Sequence, residues 1–230
     1  MKRLSLSSIV TAAMLSLLAT APALHAASGT WNGATDANWA TSTNWSAVPG
    51  ATTGTTNADI ATFNTDPGTG FGGASNPIVI DANRNVKSLL FDTSAGSYVI
   101  GAAAGNALVL TGGGSITLAA TATGTNLTET INAPLVLSGS YAITNNAPTA
   151  SNDGFRIGGN ISGGSATTLM TLTLNGSGLG NNVVSGNISN GLDTGGLALS
   201  LSGGSWTLTG NNTYTGGTTF SGSSVVAINS

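Results

Sequence analysis

Glu129, Asp153 and Asp193 are the candidates for paired-carboxylate chemistry in this chain, in stretches that read as loops. A pair of carboxylates facing one another is the equipment of glycoside hydrolysis, one acting as acid and the other as base or nucleophile. These three stand at unrelated positions, and nothing in their spacing brings two of them within the roughly 5 to 10 Å that the reaction needs. Asp81, Asn83, Asn85 and Asp92 imitate the first, third, fifth and twelfth positions of a calcium loop. The sixth position is Val86 where such a loop needs glycine for its sharp turn, and Ser88-Leu-Leu-Phe reads as a strand, so no metal site is expected. Gly68-Thr-Gly-Phe-Gly-Gly and Gly176-Ser-Gly-Leu-Gly look like phosphate-cradling loops, but neither opens a helix, and they read as turns.

Three indoles, Trp31, Trp39 and Trp45, lie close together among Asn, Thr and Gly. Flat rings beside amide donors can stack on sugars, which makes them the candidate carbohydrate-binding residues. They can equally plug one end of a repeat structure, where large aromatics cover apolar area efficiently.

The rest of the composition removes chemistry. Lys2 and Arg3, an apolar run from Ile9 to Leu18 and small residues at Ala23, Ala26 and Ala27 predict a secretory signal peptide over residues 1–26, with cleavage after Ala26. The run is too short and too interrupted to span a membrane, so no transmembrane segment is expected after cleavage. His25 is the one histidine, and it leaves with the leader. The remainder holds three cations, Arg84, Lys87 and Arg156, against seven aspartates and Glu129, a net charge of −5. No basic patch is available for nucleic acid or anionic lipid. With 0 cysteines and no histidine, disulfide frameworks, thiol nucleophiles, histidine triads and HExxH metal sites are all absent, so no catalysis and no cofactor are expected.

What remains is a chain rich in Gly, Thr, Ser, Asn and Ala, with apolar residues alternating at period two. Strands are predicted at Ile78–Ile80, Ser97–Ile100, Ala107–Leu110, Ser115–Leu118, Pro134–Leu137, Tyr141–Thr144, Leu172–Leu174, Leu197–Leu201 and Trp206–Thr209. Ala107-Leu-Val-Leu repeats as Pro134-Leu-Val-Leu, Gly159-Asn-Ile-Ser as Gly186-Asn-Ile-Ser, and Leu172-Thr-Leu as Leu199-Ser-Leu, each 27 residues on. The register slips between these windows, and Asn145 to Phe155 reads as the inserted loop. A period of this size suits one turn of a parallel β-helix whose turns bury their apolar residues only by stacking, with Asn ladders at the corners. The expected fold is all-β, a right-handed parallel β-helix over residues 78–230 behind a Trp-rich cap segment over 27–77. The competing arrangement, an antiparallel sandwich, lacks a reason for the fixed offset.

The tail from Val184, above all Trp206-Thr-Leu-Thr-Gly-Asn-Asn-Thr-Tyr-Thr-Gly-Gly-Thr-Thr, resembles the autotransporter-associated β-strand repeat over about 184–230. Thr30-Trp-Asn-Gly, Asn44-Trp-Ser and Asp59-Ile-Ala-Thr-Phe-Asn are similar to the segment that opens many such secreted proteins. Two details depart from the family: no basic residue precedes Ser202-Gly-Gly, and Ser223-Ser-Val-Val replaces Gly-Thr-Leu. The length also leaves no room beside the repeats for a translocating barrel of ~12 strands, so a fragment, a truncated product or a small relative with another export route is expected. The resemblance implies a noncatalytic passenger-like structural or adhesin element, secreted or on the bacterial outer surface, with surface glycans or other cell-surface proteins as partners. A carbohydrate-binding module built on the tryptophans, and a polysaccharide-degrading β-helix enzyme, are the alternatives.

Overall fold

The computed structural model describes residues 27–124, 126–222 and 225–228; the expected signal peptide, 1–26, lies outside the described residues. Among the described residues, nineteen strands, joined by turns and one short 3-10 segment at Ser42–Asn44, wind into a parallel β-solenoid of about five turns. Each turn visits three sheets in order.

The wide sheet holds eight strands: β1 (Gly29–Thr30), β2 (Ile60–Phe63), β4 (Ser88–Phe91), β7 (Ser115–Leu118), β10 (Tyr141–Asn145), β13 (Met170–Asn175), β16 (Leu197–Leu201) and β18 (Thr218–Phe220). The second sheet stacks β5 (Val99–Ile100), β8 (Thr128–Ile131), β11 (Gly154–Ile157), β14 (Asn182–Val184), β17 (Ser205–Leu208) and β19 (Val225–Ile228). The third stacks β3 (Asn85–Val86), β6 (Leu108–Leu110), β9 (Leu135–Leu137), β12 (Ile161–Gly163) and β15 (Ile188–Ser189). All the strand pairings are parallel, each between one turn and the next. Neighbouring strands therefore sit about 4.8 Å apart along the axis, and like positions of successive turns stack into columns.

Alternation decides what enters the core. Leu89, Ile116, Ile143, Leu174 and Leu201 form one inward column of the wide sheet, and Leu108, Leu135, Ile161 and Ile188 one of the third sheet. All nine are buried, so each turn covers the aliphatic surface of the turn beside it, the arrangement that the repeat in the sequence requires. Outward positions of the same strands carry mostly Ser, Thr, Ala and Asn, with Leu90, Val109 and Val136 among them. The corners use polar side chains to link turns: Asn187 N–H donates to Asn160 Oδ1 at 3.0 Å and Asn211 N–H to Asn187 Oδ1 at 2.7 Å, an asparagine ladder. Serine does the same ahead of several strands, with Ser88 Oγ accepting from Ser115 N–H and Ser140 Oγ from Thr171 N–H.

The strand registers correct three expectations. Leu108 pairs with Leu135 and Ile161 with Ile188, both 27 apart, but Leu135 pairs with Ile161 and Tyr141 with Leu172. The insertion therefore falls after β12; within Asn145–Phe155 the offset only shortens by one residue, from 27 (Ser115 to Ala142) to 26 (Thr128 to Gly154). The connection 146–153 is no longer than its counterpart 119–127, whereas 164–169 between β12 and β13 exceeds 138–140 between β9 and β10. Ile78–Ile80 forms only isolated bridges, to Ile100 and Asn38. The ladder itself begins at Gly29–Thr30 and Ile60–Phe63, within the segment read as cap.

Candidate functional site

The amino-terminal segment lies across the first turn and reaches all three sheets. β1 pairs with β2 on the wide sheet; Asn38 bridges Val79, next to the Ile78 bridge to the second sheet; Ala51 bridges Asn85 of the third. Under it sit the tryptophans. Trp39 is 0% and Trp31 1% exposed, and Trp45 is buried beside them. Trp45 meets Trp31 edge-on at 4.9 Å and Trp39 at 4.7 Å, and both Trp39 and Trp45 pack on Phe63, which stacks on Phe91 of the next turn at 5.0 Å. Each indole N–H is taken by a backbone carbonyl: Trp31 by Phe71, Trp39 by Pro49, Trp45 by Trp39. Rings enclosed on both faces, with their donors paired internally, leave no platform for a sugar; here they close the end of the core.

Arg84, which no motif singles out, fastens this cap. Its guanidinium makes a two-pronged ion pair with Asp81, Nε to Oδ1 at 2.9 Å and Nη2 to Oδ2 at 2.8 Å, while Nη1 donates to the carbonyls of Pro49 and Gly50. The same bonds dissolve the imitation calcium loop. Asp81 is committed to Arg84, Asn85 donates to Val109 O, and Asp92 accepts from Thr121 and from Thr93 N–H, so the residues face three different partners. Those hydroxyl and amide donors, Thr121 first, hold the Asp92 carboxyl below its ordinary value.

The three loop carboxylates are placed otherwise than expected. Glu129 is in strand β8, pointing inward and fully buried; Asp153 and Asp193 are buried as well. Glu129 Oε2 accepts from Tyr98 N–H at 3.0 Å in the turn above, and Asp153 Oδ1 accepts from Leu127 N–H at 2.7 Å in the same direction. Asp193 Oδ1 accepts from Gly195 N–H. The second oxygen of each is buried with no donor among the described residues. Burial first, and then the acidic Asp153 nearby, push the Glu129 carboxyl well above its ordinary range, against the pull of the Tyr98 N–H. Glu129 and Asp153 are therefore electrostatic neighbours on successive turns, which their separation in sequence conceals, but both are shut off from solvent and from any polymer.

Two depressions open on the surface. One, about 310 Å³, is lined mostly by Pro77–Ile80 and Gly101–Ala102; the other, about 460 Å³, lies between Ala120–Gly124 and Pro148–Ser151 of successive turns. Their walls are small and mainly apolar, without convergent charged groups. The outward face of the wide sheet carries Ser88, Ser115, Ala142, Thr173 and Ser200 in one column and Thr62, Leu90, Thr117, Thr144 and Asn175 in the other. Among the described residues no cluster of three or more acidic, histidine or cysteine side chains suits a metal, and no helix is long and apolar enough to cross a membrane. No family model, no curated protein and no solved structure matches this chain.

Proposed function

We propose that the protein is a noncatalytic, exported β-solenoid that works as a structural or adhesin-like element at the cell surface, in the manner of an autotransporter passenger. The observation that carries this reading is where the reactive side chains go: most carboxylates and the tryptophans face inward or pair with backbone, and the outward face of the wide sheet carries mostly Ser, Thr, Ala and Asn. Such a surface offers a repeating set of hydroxyls and methyls for contact with glycans or with other surface proteins. Export fits the same architecture. A chain with no disulfide to form can cross a membrane unfolded and wind turn by turn outside, since each turn packs on its neighbours.

Expression with the native leader in a Gram-negative host tests both halves of the proposal. The expected outcome is protein found outside the inner membrane with its amino terminus near Ala27, sensitive to protease added to intact cells or recovered from the medium. Retention in the cytoplasm with Met1 in place would sink the export reading, and turnover of any polysaccharide that persists on purification would sink the noncatalytic one.

A further inference from the structure

The second sheet contains an inward column unlike the others: Tyr98, Glu129, Phe155, Asn182 and Trp206 on five successive turns. Aromatic and polar side chains alternate along it, and the two polar ones do the same task. Asn182 Oδ1 accepts the backbone N–H of Phe155 in the turn above at 3.1 Å, as Glu129 Oε2 accepts that of Tyr98 at 3.0 Å. The other end of each side chain shows the difference. Asn182 Nδ2 donates forward to Ser205 O at 2.8 Å and to Gly180 O, so its amide is satisfied on both sides. Glu129 Oε1, the counterpart of that Nδ2, is buried and without a donor among the described residues, and the nearby Asp153 has an Oδ2 in the same condition.

We propose that Glu129 is carried as the neutral acid and serves as an amide equivalent in this column, its O–H donating toward the Asp153–Gly154 stretch of the next turn, so that the solenoid binds one proton as part of its fold. An ionised carboxylate in this place would bury a charge with a single N–H for compensation and set two acceptors against each other. The groups around it supply no cation. Tyr98 above is a neutral phenol that donates to Thr65 O, Asp153 is acidic, and Arg156, one residue past Phe155, points outward to solvent. Asp66, which acts on Tyr98 from the far side, is acidic as well. Folding thus raises the affinity of Glu129 for its proton. The stability this contributes is complete below the ordinary carboxyl value of 4.5 and is lost as pH rises through the raised value of the folded state.

Infrared difference spectra of the wild-type chain against Glu129→Gln near neutral pH read the proton directly. The expected result is a carboxylic-acid C=O band, shifted in D2O, that is present in the wild type and missing from the variant; a wild-type spectrum without it overturns the proposal. Denaturant unfolding from about pH 4 to about pH 9 gives a second readout. The wild-type midpoint should fall with rising pH, and the Glu129→Gln midpoint should lose that slope and equal or exceed the wild type at the alkaline end. Parallel curves, or failure of Glu129→Gln to fold, would refute the amide equivalence. Glu129→Leu, which fills the space but donates nothing, should unfold more easily than Glu129→Gln at every pH, and equal midpoints for the two would overturn the need for a donor.

Discussion

At the scale of single residues, the molecule is held by large side chains at one end and by a few polar ones inside. Trp39 is fully enclosed by Trp45, Phe63 and its own bond to Pro49 O. Trp39→Ala is expected to cost about 3–5 kcal/mol in denaturant unfolding, the usual range for deleting a buried aromatic ring. An alkaline titration reports on the phenols. Burial pushes Tyr98 up to about 12, and Tyr141, which donates to Lys87 O, is raised further for the same reason. Both contribute stability that is intact below about pH 10 and lost as pH climbs through their folded-state values. Phenolate absorbance from these two should therefore appear only together with loss of the β-sheet circular dichroism signal; ionisation in a chain that stays folded would contradict their burial. Arg84 has a different part, because its ion pair and its two carbonyl contacts join cap to coil. Arg84→Lys cannot reproduce the fork, so limited proteolysis should cut the 46–58 segment faster in that variant while the later turns stay protected.

At the scale of the element, stacking at strand spacing makes corners as demanding as strands. Gly176 sits at φ +125, where side chains are strained, and a Cβ there would run into the carbonyl of Asn145 in the turn above. Gly176→Ala is expected to destabilise by more than the ~1 kcal/mol that a glycine-to-alanine change can gain elsewhere, measured as a fall in the unfolding midpoint. The corner after β12 behaves otherwise, since its additional residues project outward; Leu169 there is more than half exposed. The sequence pattern was legible in the wide and third sheets because their inward positions are Leu, Ile and Val, as in Leu108–Leu110 and Leu197–Leu201. It failed in part of the second sheet, although Val99–Ile100 and Ser205–Leu208 are legible there. Thr128–Ile131 and Gly154–Ile157 read as loops in the sequence because Glu129 occupies an inward position and because Phe155 follows a run of turn-forming residues. Alternation of polarity marks a strand only where the buried face is apolar, and here a proton or a neighbouring amide makes a polar side chain acceptable inside.

At the scale of the whole molecule, nearly every contact joins one turn to the next, so stability should grow turn by turn. Carboxy-terminal truncations placed after β9, β12 and β15 are expected to leave protease-resistant cores that lengthen stepwise, each with a higher unfolding midpoint; a single loss of protection at all lengths would contradict nearest-neighbour winding. The recurring offset of 27 residues and the alternating aliphatics by themselves favoured stacked short parallel strands over an antiparallel sandwich, because residues repeated at that spacing bury one another when each turn covers the next. Three matters were decided only by the tertiary structure. The tryptophans could bind a sugar or seal a core, and it was the reach of residues 29–51 across all three sheets that enclosed them. Arg84 and Asp81 form a clamp only because the fold brings the cap carbonyls of Pro49 and Gly50 within reach of the Arg84 guanidinium. Glu129 and Asp153, far apart along the chain, became neighbours because each turn sets its residues directly over those of the turn before, and a stacking that brings such groups together is not written in their spacing.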